Sequence, residues 1–238
     1  MAMQRFILIG MLIGAVIDSA AASECVVLLH GLGRSPVSML RLDYQLSASG
    51  YDVVNPAYPS TEQPIQQLAS VVGTGVAECR EREATTIHFV THSLGGILVR
   101  HYFQNHRVPE ARRAVMLGPP NHGSEIVDRY RNEWWFRRVT GVAGQQLGTG
   151  PDSILNQLVP IELEIGIIAG TKSSDPWFAA AMRGANDGKV SVDSAKLAEM
   201  RDFFLVDSGH TFIMNATKVV HQVEAFLRNG KFDRSGEL

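Results

Sequence analysis

Apolar residues in this chain fall into short runs, separated by stretches where they recur every three or four positions. Glu24 to His30 (ECVVLLH), Tyr51 to Asn55, Thr85 to Thr91 (TTIHFVT), Arg113 to Leu117, Glu164 to Ala169 and Asp202 to Val206 are too short for stable helices and predict strands. The first is apolar on both faces and bounded by glycine, which fits a buried parallel strand. Between the runs, Pro36 to Ser49, Glu62 to Glu83, Leu94 to His106 and Thr211 to Arg228 predict helices. Ser35 is placed to cap the first and Gly50 to stop it, while Gly73 and Gly75 weaken the second. Strands alternating with helices predict an α/β fold, a mostly parallel central sheet with helices on both faces. The alternation stops between Gly118 and Pro160. There Ile126, Tyr130 and Trp134 share a helical stripe, so residues 119–160 or so are expected to form a small cap inserted over the sheet. Residues 24–238 are then one domain.

Composition narrows the picture. A chain of 238 residues, 45% hydrophobic and 19% charged, can bury one large core. Its net charge of -2 supplies no basic footprint for nucleic acid. At the N-terminus, one positive charge in Met1 to Arg5, an unbroken apolar and glycine run from Phe6 to Ile17, and the small residues Ala20-Ala21-Ala22-Ser23 have the form of a secretory signal peptide spanning residues 1–23. The run is short for a membrane span, which needs about 20 residues. An exported protein, periplasmic or secreted, is therefore expected. Two cysteines remain, Cys25 opening the first strand and Cys79 near the end of the second helix. An even count in an exported protein suggests a disulfide, and two buried thiols are the alternative.

The candidate chemistry centres on Thr91-His92-Ser93-Leu94-Gly95-Gly96, between a strand and a helix. A serine there sits on a tight turn with its hydroxyl above the sheet, and the N–H of Leu94 lies at a helix N-terminus, where an oxyanion is stabilised. Gly95 lets the helix approach the strand. This segment resembles the nucleophile elbow G-x-S-x-G of α/β-hydrolases, with Thr91 in place of the first glycine. His30-Gly31-Leu32-Gly33, directly after the first strand, resembles the oxyanion loop of lipases and esterases. Gly118-Pro119-Pro120-Asn121-His122-Gly123-Ser124 resembles the G-x-P-x-x-G-S segment of bacterial triacylglycerol lipases and the related inositol-deacylase-like lipases.

A serine nucleophile needs a base, and the fold's order is serine, acid, histidine. Of eight histidines, His210 and His221 follow any acid; His210 comes after a predicted strand, whereas His221 lies inside a helix. For the acid, Asp187 in Asn186-Asp187-Gly188-Lys189-Val190 leads, with Asp193 and Asp175 as rivals. The resemblance favours Asp187, because many lipase-like hydrolases carry Asp-Gly-x-Val there. It implies Ser93, Asp187 and His210 as catalytic residues, the Leu32 and Leu94 N–H groups as the oxyanion hole, and His30, Gly31, His92, Gly95 and His122 as shaping the site.

The expected reaction is hydrolysis of a carboxylic ester through an acyl-enzyme, on a small-molecule or lipid ester. Thioester hydrolysis or acyl transfer on the same triad, and a non-catalytic export or binding role, are the alternatives. No His/Asp/Glu string has zinc spacing and no Gly-Lys-Ser/Thr follows the glycines, so neither metal nor cofactor is expected. Trp134, Trp135 and Phe136 among Arg129, Arg131, Arg137 and Arg138 read in two ways: a lid making transient contact with a lipid surface, or an ordinary helix with a buried aromatic and a solvated basic face. The second is the commoner arrangement.

Overall fold

A computed structural model describes residues 23–173, 178 and 181–236. The signal-peptide reading, apart from Ser23, and the rival acid Asp175 lie outside the described residues. Six strands form one sheet in the order β2–β1–β3–β4–β5–β6, every neighbouring pair parallel: β1 Glu24–Leu29, β2 Asp52–Val54, β3 Thr86–His92, β4 Ala111–Leu117, β5 Glu164–Gly170 and β6 Asp202–Val206. This is the expected α/β architecture.

Parallel strands need long crossovers, and the helices that supply them cover both faces. The pleat divides the apolar residues. Cys25, Val27 and Leu29 of β1 join a core with Phe89 and Ile97, while Val26 and Leu28 join one with Val90, Val115 and Phe226. Each fully buried leucine or isoleucine here contributes about 1.5–3 kcal/mol relative to exposure.

The helices follow the apolar periodicity with local corrections. Residues 36–49 form a 3-10 turn, Pro36–Met39, that continues into helix α1, Leu40–Ala48; Ser35 occupies the cap position but its side chain makes no capping bond. The predicted helix over 62–83 starts only after Pro64, which cannot sit inside a helix and instead precedes its first turn, and it runs as two pieces, α2 Ile65–Leu68 and α3 Ser70–Glu81, that meet at Ala69. Gly73 and Gly75, read as weak points, are where α3 packs against Tyr102 and Val27. Helix α4, Leu94–Tyr102, follows β3. At the C-terminus the expected single helix splits into a 3-10 segment, His210–Asn215, and the helix Thr217–Asn229, since Ala216 is extended between them.

Cys25 and Cys79 form a disulfide that ties the start of β1 to the last turn of α3, with Cα atoms 5.8 Å apart. Between β4 and β5 lie α5 Glu125–Tyr130, α6 Trp134–Gln145 and α7 Ile154–Gln157. The expected stripe Ile126-Tyr130-Trp134 is broken. A turn at 131–133 separates α5 from α6 and leaves Trp134 76% exposed, and Phe136 is the aromatic that turns inward.

Candidate active site

Loops at the carboxyl ends of the strands meet where open parallel sheets usually bind ligands. Ser93 lies between β3, third in the sheet, and α4, where it is the N-cap residue. Its φ of 51° and ψ of -117° lie in a region that non-glycine residues rarely adopt. Such a conformation costs on the order of 1–3 kcal/mol and persists only where the surroundings impose it. Here they do: the Ser93 N–H donates to the Leu117 carbonyl at 2.9 Å, and a Cβ on Gly95 would come within 2.6 Å of the Leu29 carbonyl oxygen. Thr91 fits at the position where the resembling elbow has glycine. It is fully buried, and a Cβ on Gly96 would come within 3.2 Å of its Oγ1.

His210 and Asp187 are paired near this turn, His210 Nδ1 lying 2.7 Å from Asp187 Oδ2, both side chains buried. A carboxylate only accepts, so Nδ1 carries the proton, and in the neutral imidazole the lone pair is on Nε2. The His210 N–H also donates to the Asp187 carbonyl at 2.9 Å. The second Asp187 oxygen accepts from the Lys189 and Val190 N–H groups at 3.0 and 2.8 Å, so the turn after Asp187 fixes its carboxylate. The rivals lie elsewhere. Asp193 is 92% exposed at its side chain and pairs with Lys196, and His221 is exposed on the C-terminal helix.

His92 holds the other side of His210. Its Nε2 lies 3.0 Å from the His210 carbonyl oxygen, which can only accept, so His92 is the Nε2–H tautomer and its buried Nδ1 has no partner. Burial, aided by the charges of His210, Lys189 and Arg34, holds the His92 pKa well below the ordinary histidine range, so it is neutral. His30 stacks on Tyr58 with ring centroids 4.0 Å apart and donates from Nδ1 to the Gly31 carbonyl at 3.0 Å. Burial lowers its pKa as well. Gly31 packs against His92 and Ser93. The Leu94 N–H, first in its helix, has no intrahelical acceptor, and Leu32 lies across the same cavity.

That cavity, about 340 Å³, is bordered by Ser93 and His210 on one side and by Ile126, Trp135, Phe136 and Phe178 on another. A wider polar depression of about 870 Å³ beside Gln66, Gln104 and Asp152 contains neither Ser93 nor His210. His122, expected to shape the floor, is exposed and does not border the cavity; Pro120 and Ser124 of its segment do. Its buried neighbour Asn121 is clamped instead. Arg100 of α4 donates to the Asn121 carbonyl and Oδ1 at 3.0 and 3.2 Å, and Asn121 Nδ2 donates to the Ala195 carbonyl at 2.7 Å. Gly118 opens the same segment, and its close approach to the Asp187–His210 pair was not read from the sequence. Its φ is +54°, and a Cβ would come within 2.9 Å of Asp187 Oδ2 and 3.2 Å of His210 Nδ1. Its place directly after a strand was the available signal. Among the described residues no group of three His, Cys, Asp or Glu side chains is arranged to hold a metal.

Residues 26–206 match the profile described as "Alpha/beta hydrolase family". No curated protein matches the sequence. Among solved structures, the lipase BlEst2 of Bacillus licheniformis in mature form is similar with a TM-score of 0.72 and 22% identity, over 88% of this chain and 92% of that one. Its propeptide form gives 0.74 and 21%, over 89% of this chain and 51% of the other, so this chain spans about half of that form. The esterase Pf2001 of Pyrococcus furiosus gives 0.63 and 16%, over 87% and 83%. At these identities the structural likeness speaks for the fold, while the profile covers well over half of the chain, from β1 through β6. The chain belongs to the alpha/beta hydrolase family.

Proposed function

We propose that this protein hydrolyses carboxylic esters through an acyl-enzyme on Ser93. The observation that carries the reading is the buried Asp187–His210 pair at 2.7 Å, opening onto the same cavity as Ser93. His210, with Nδ1–H committed to Asp187, has Nε2 free to take the Ser93 proton as the hydroxyl attacks the carbonyl carbon. The tetrahedral oxygen is held by the Leu32 and Leu94 N–H groups. His210 then returns the proton to the leaving alkoxide, and water, activated by the same histidine, releases the acid. Asp187 fixes the tautomer and stabilises the imidazolium.

The apolar wall of Ile126, Phe136 and Phe178 suits an acyl chain. The exposed Trp134, Val139 and Val142 of α6 are the face of the cap that would meet a lipid surface. The disulfide supports a site of action outside the reducing cytoplasm, in the periplasm or beyond the cell. Hydrolysis of p-nitrophenyl esters from acetyl to palmitoyl, with wild type and Ser93→Ala side by side, tests the reading. Activity that disappears in the variant is expected, and its chain-length optimum separates an esterase from a lipase. A fully active Ser93→Ala protein would contradict it.

A further inference from the structure

The charges around the cavity are one-sided. Arg34 and Lys189 border it, and among the described residues no aspartate or glutamate does, although the chain as a whole has net charge -2. Both cations reach the site electrostatically, since each opposes protonation of His92. Arg34 follows the Gly31-Leu32-Gly33 loop and is half-buried. Its guanidinium carbon lies 5.7 Å from the ring centroid of Phe212, two residues beyond His210. Among the described residues it forms no ion pair with a carboxylate, and its buried Nε has no hydrogen-bond acceptor. A guanidinium at a cavity wall with no carboxylate beside it is matched best by an anion brought by the ligand.

We propose that Arg34 selects esters whose alcohol half carries an anion, a phosphate or a carboxylate. This rests on the ester-hydrolase reading for which half of the substrate is meant. His210 must reach the ester's alcohol oxygen to protonate it, so the alcohol half lies on the His210 side of the cavity. Arg34 borders the cavity and packs on Phe212, two residues along the chain from His210, and the apolar wall of Ile126, Phe136 and Phe178 is left for the acyl chain. A guanidinium offers a planar fork of donors that matches the oxygens of a phosphate or carboxylate.

The test compares three octanoyl esters: neutral octanoyl glycerol, octanoyl glycerophosphate and octanoyl lactate. Wild type should show kcat/KM about tenfold or more higher for at least one anionic ester than for the neutral one, the size of a charge-assisted hydrogen bond. The favoured ester then tells phosphate from carboxylate. In Arg34→Gln the ratio of anionic to neutral kcat/KM should fall about tenfold, chiefly through KM, with Arg34→Lys in between. Equal rates on all three esters in wild type, or an unchanged ratio in Arg34→Gln with both rates lowered alike, would overturn the proposal. Should wild type hydrolyse none of them, the ester-hydrolase reading fails by itself. Calorimetric binding to Ser93→Ala then decides the role of Arg34. An anionic ester bound about tenfold tighter than the neutral one, with the difference lost in Ser93→Ala/Arg34→Gln, sustains it, and equal binding refutes it.

Discussion

Strand β3 carries a buried histidine near each of its ends, and the two lie in opposite surroundings. His88, toward the amino end, has neither ring nitrogen in a hydrogen bond; Glu24 Oε2 lies 3.5 Å away, and burial pushes the His88 pKa down to about 4. At the carboxyl end, His92 donates to the His210 carbonyl, and His210 is bonded to Asp187 through both side chain and backbone. Burial is similar at the two ends, and what differs is the geometry of the partners. A buried imidazole alone is an apolar filler with an acid liability, whereas one whose Nδ1–H is committed to a carboxylate has a defined lone pair to work with. The amino end also holds the disulfide at Cys25 and the Arg113–Glu164 pair at 2.8 Å. The amino ends of the strands thus hold the chain together, and the carboxyl ends carry the candidate site.

Substitutions can break this contrast. The largest effect is expected from Asp187→Asn. The amide cannot hold His210 in the same tautomer as firmly, so kcat on an ester should fall about 10³–10⁴-fold with the fold intact by circular dichroism. A loss below tenfold would remove Asp187 from the mechanism. Next, replacing both Cys25 and Cys79 by alanine should lower stability to urea by about 4 kcal/mol, through the freed loop of 54 residues in the unfolded chain. While the variant remains folded, kcat should stay near wild type.

The third effect concerns pH. The unfolded chain protonates His88 near its ordinary pKa of 6.5, but the folded protein does not until about 4. The unfolded state therefore binds more protons in this window. Stability is full above 6.5, falls as pH drops toward 4, and changes no further below it, a loss of about 3 kcal/mol. His88→Leu should flatten that slope in urea titrations between the two pH values; an unchanged slope would assign the acid sensitivity to other groups. The smallest effect is expected at Asp193. Exposed and paired with Lys196, it should change kcat/KM by less than about twofold as Asp193→Asn, and stability by less than about 1 kcal/mol. A large loss there would reopen the choice of acid.

Much of this was readable from the chain. Strand cores such as Val26 to Leu29 are short apolar runs that the parallel sheet demands, and the fold follows from their alternation with helices. Ser93 and His210 were legible because a strand-to-helix turn and chain order constrain them. Asp187 and Asp193 are both acids on one loop in sequence. Only folding shows which one has its oxygen turned to His210 and which to solvent. The cap was the least legible. Four-residue spacing through Trp134 looked helical, yet the break at 131–133 belongs to local turns that periodicity does not register. The Arg100–Asn121 clamp joins residues from separate elements, so nothing local in either segment announces it.

Everything proposed for catalysis depends on Ser93 being a nucleophile activated by the Asp187–His210 pair. Incubation with a fluorophosphonate probe, followed by mass spectrometry of the digested protein, tests it most directly. One covalent adduct is expected, located on Ser93, absent from Ser93→Ala and much slower to form in Asp187→Asn. A wild-type protein that takes no label, or takes it on another residue with Ser93 unmodified, would contradict it.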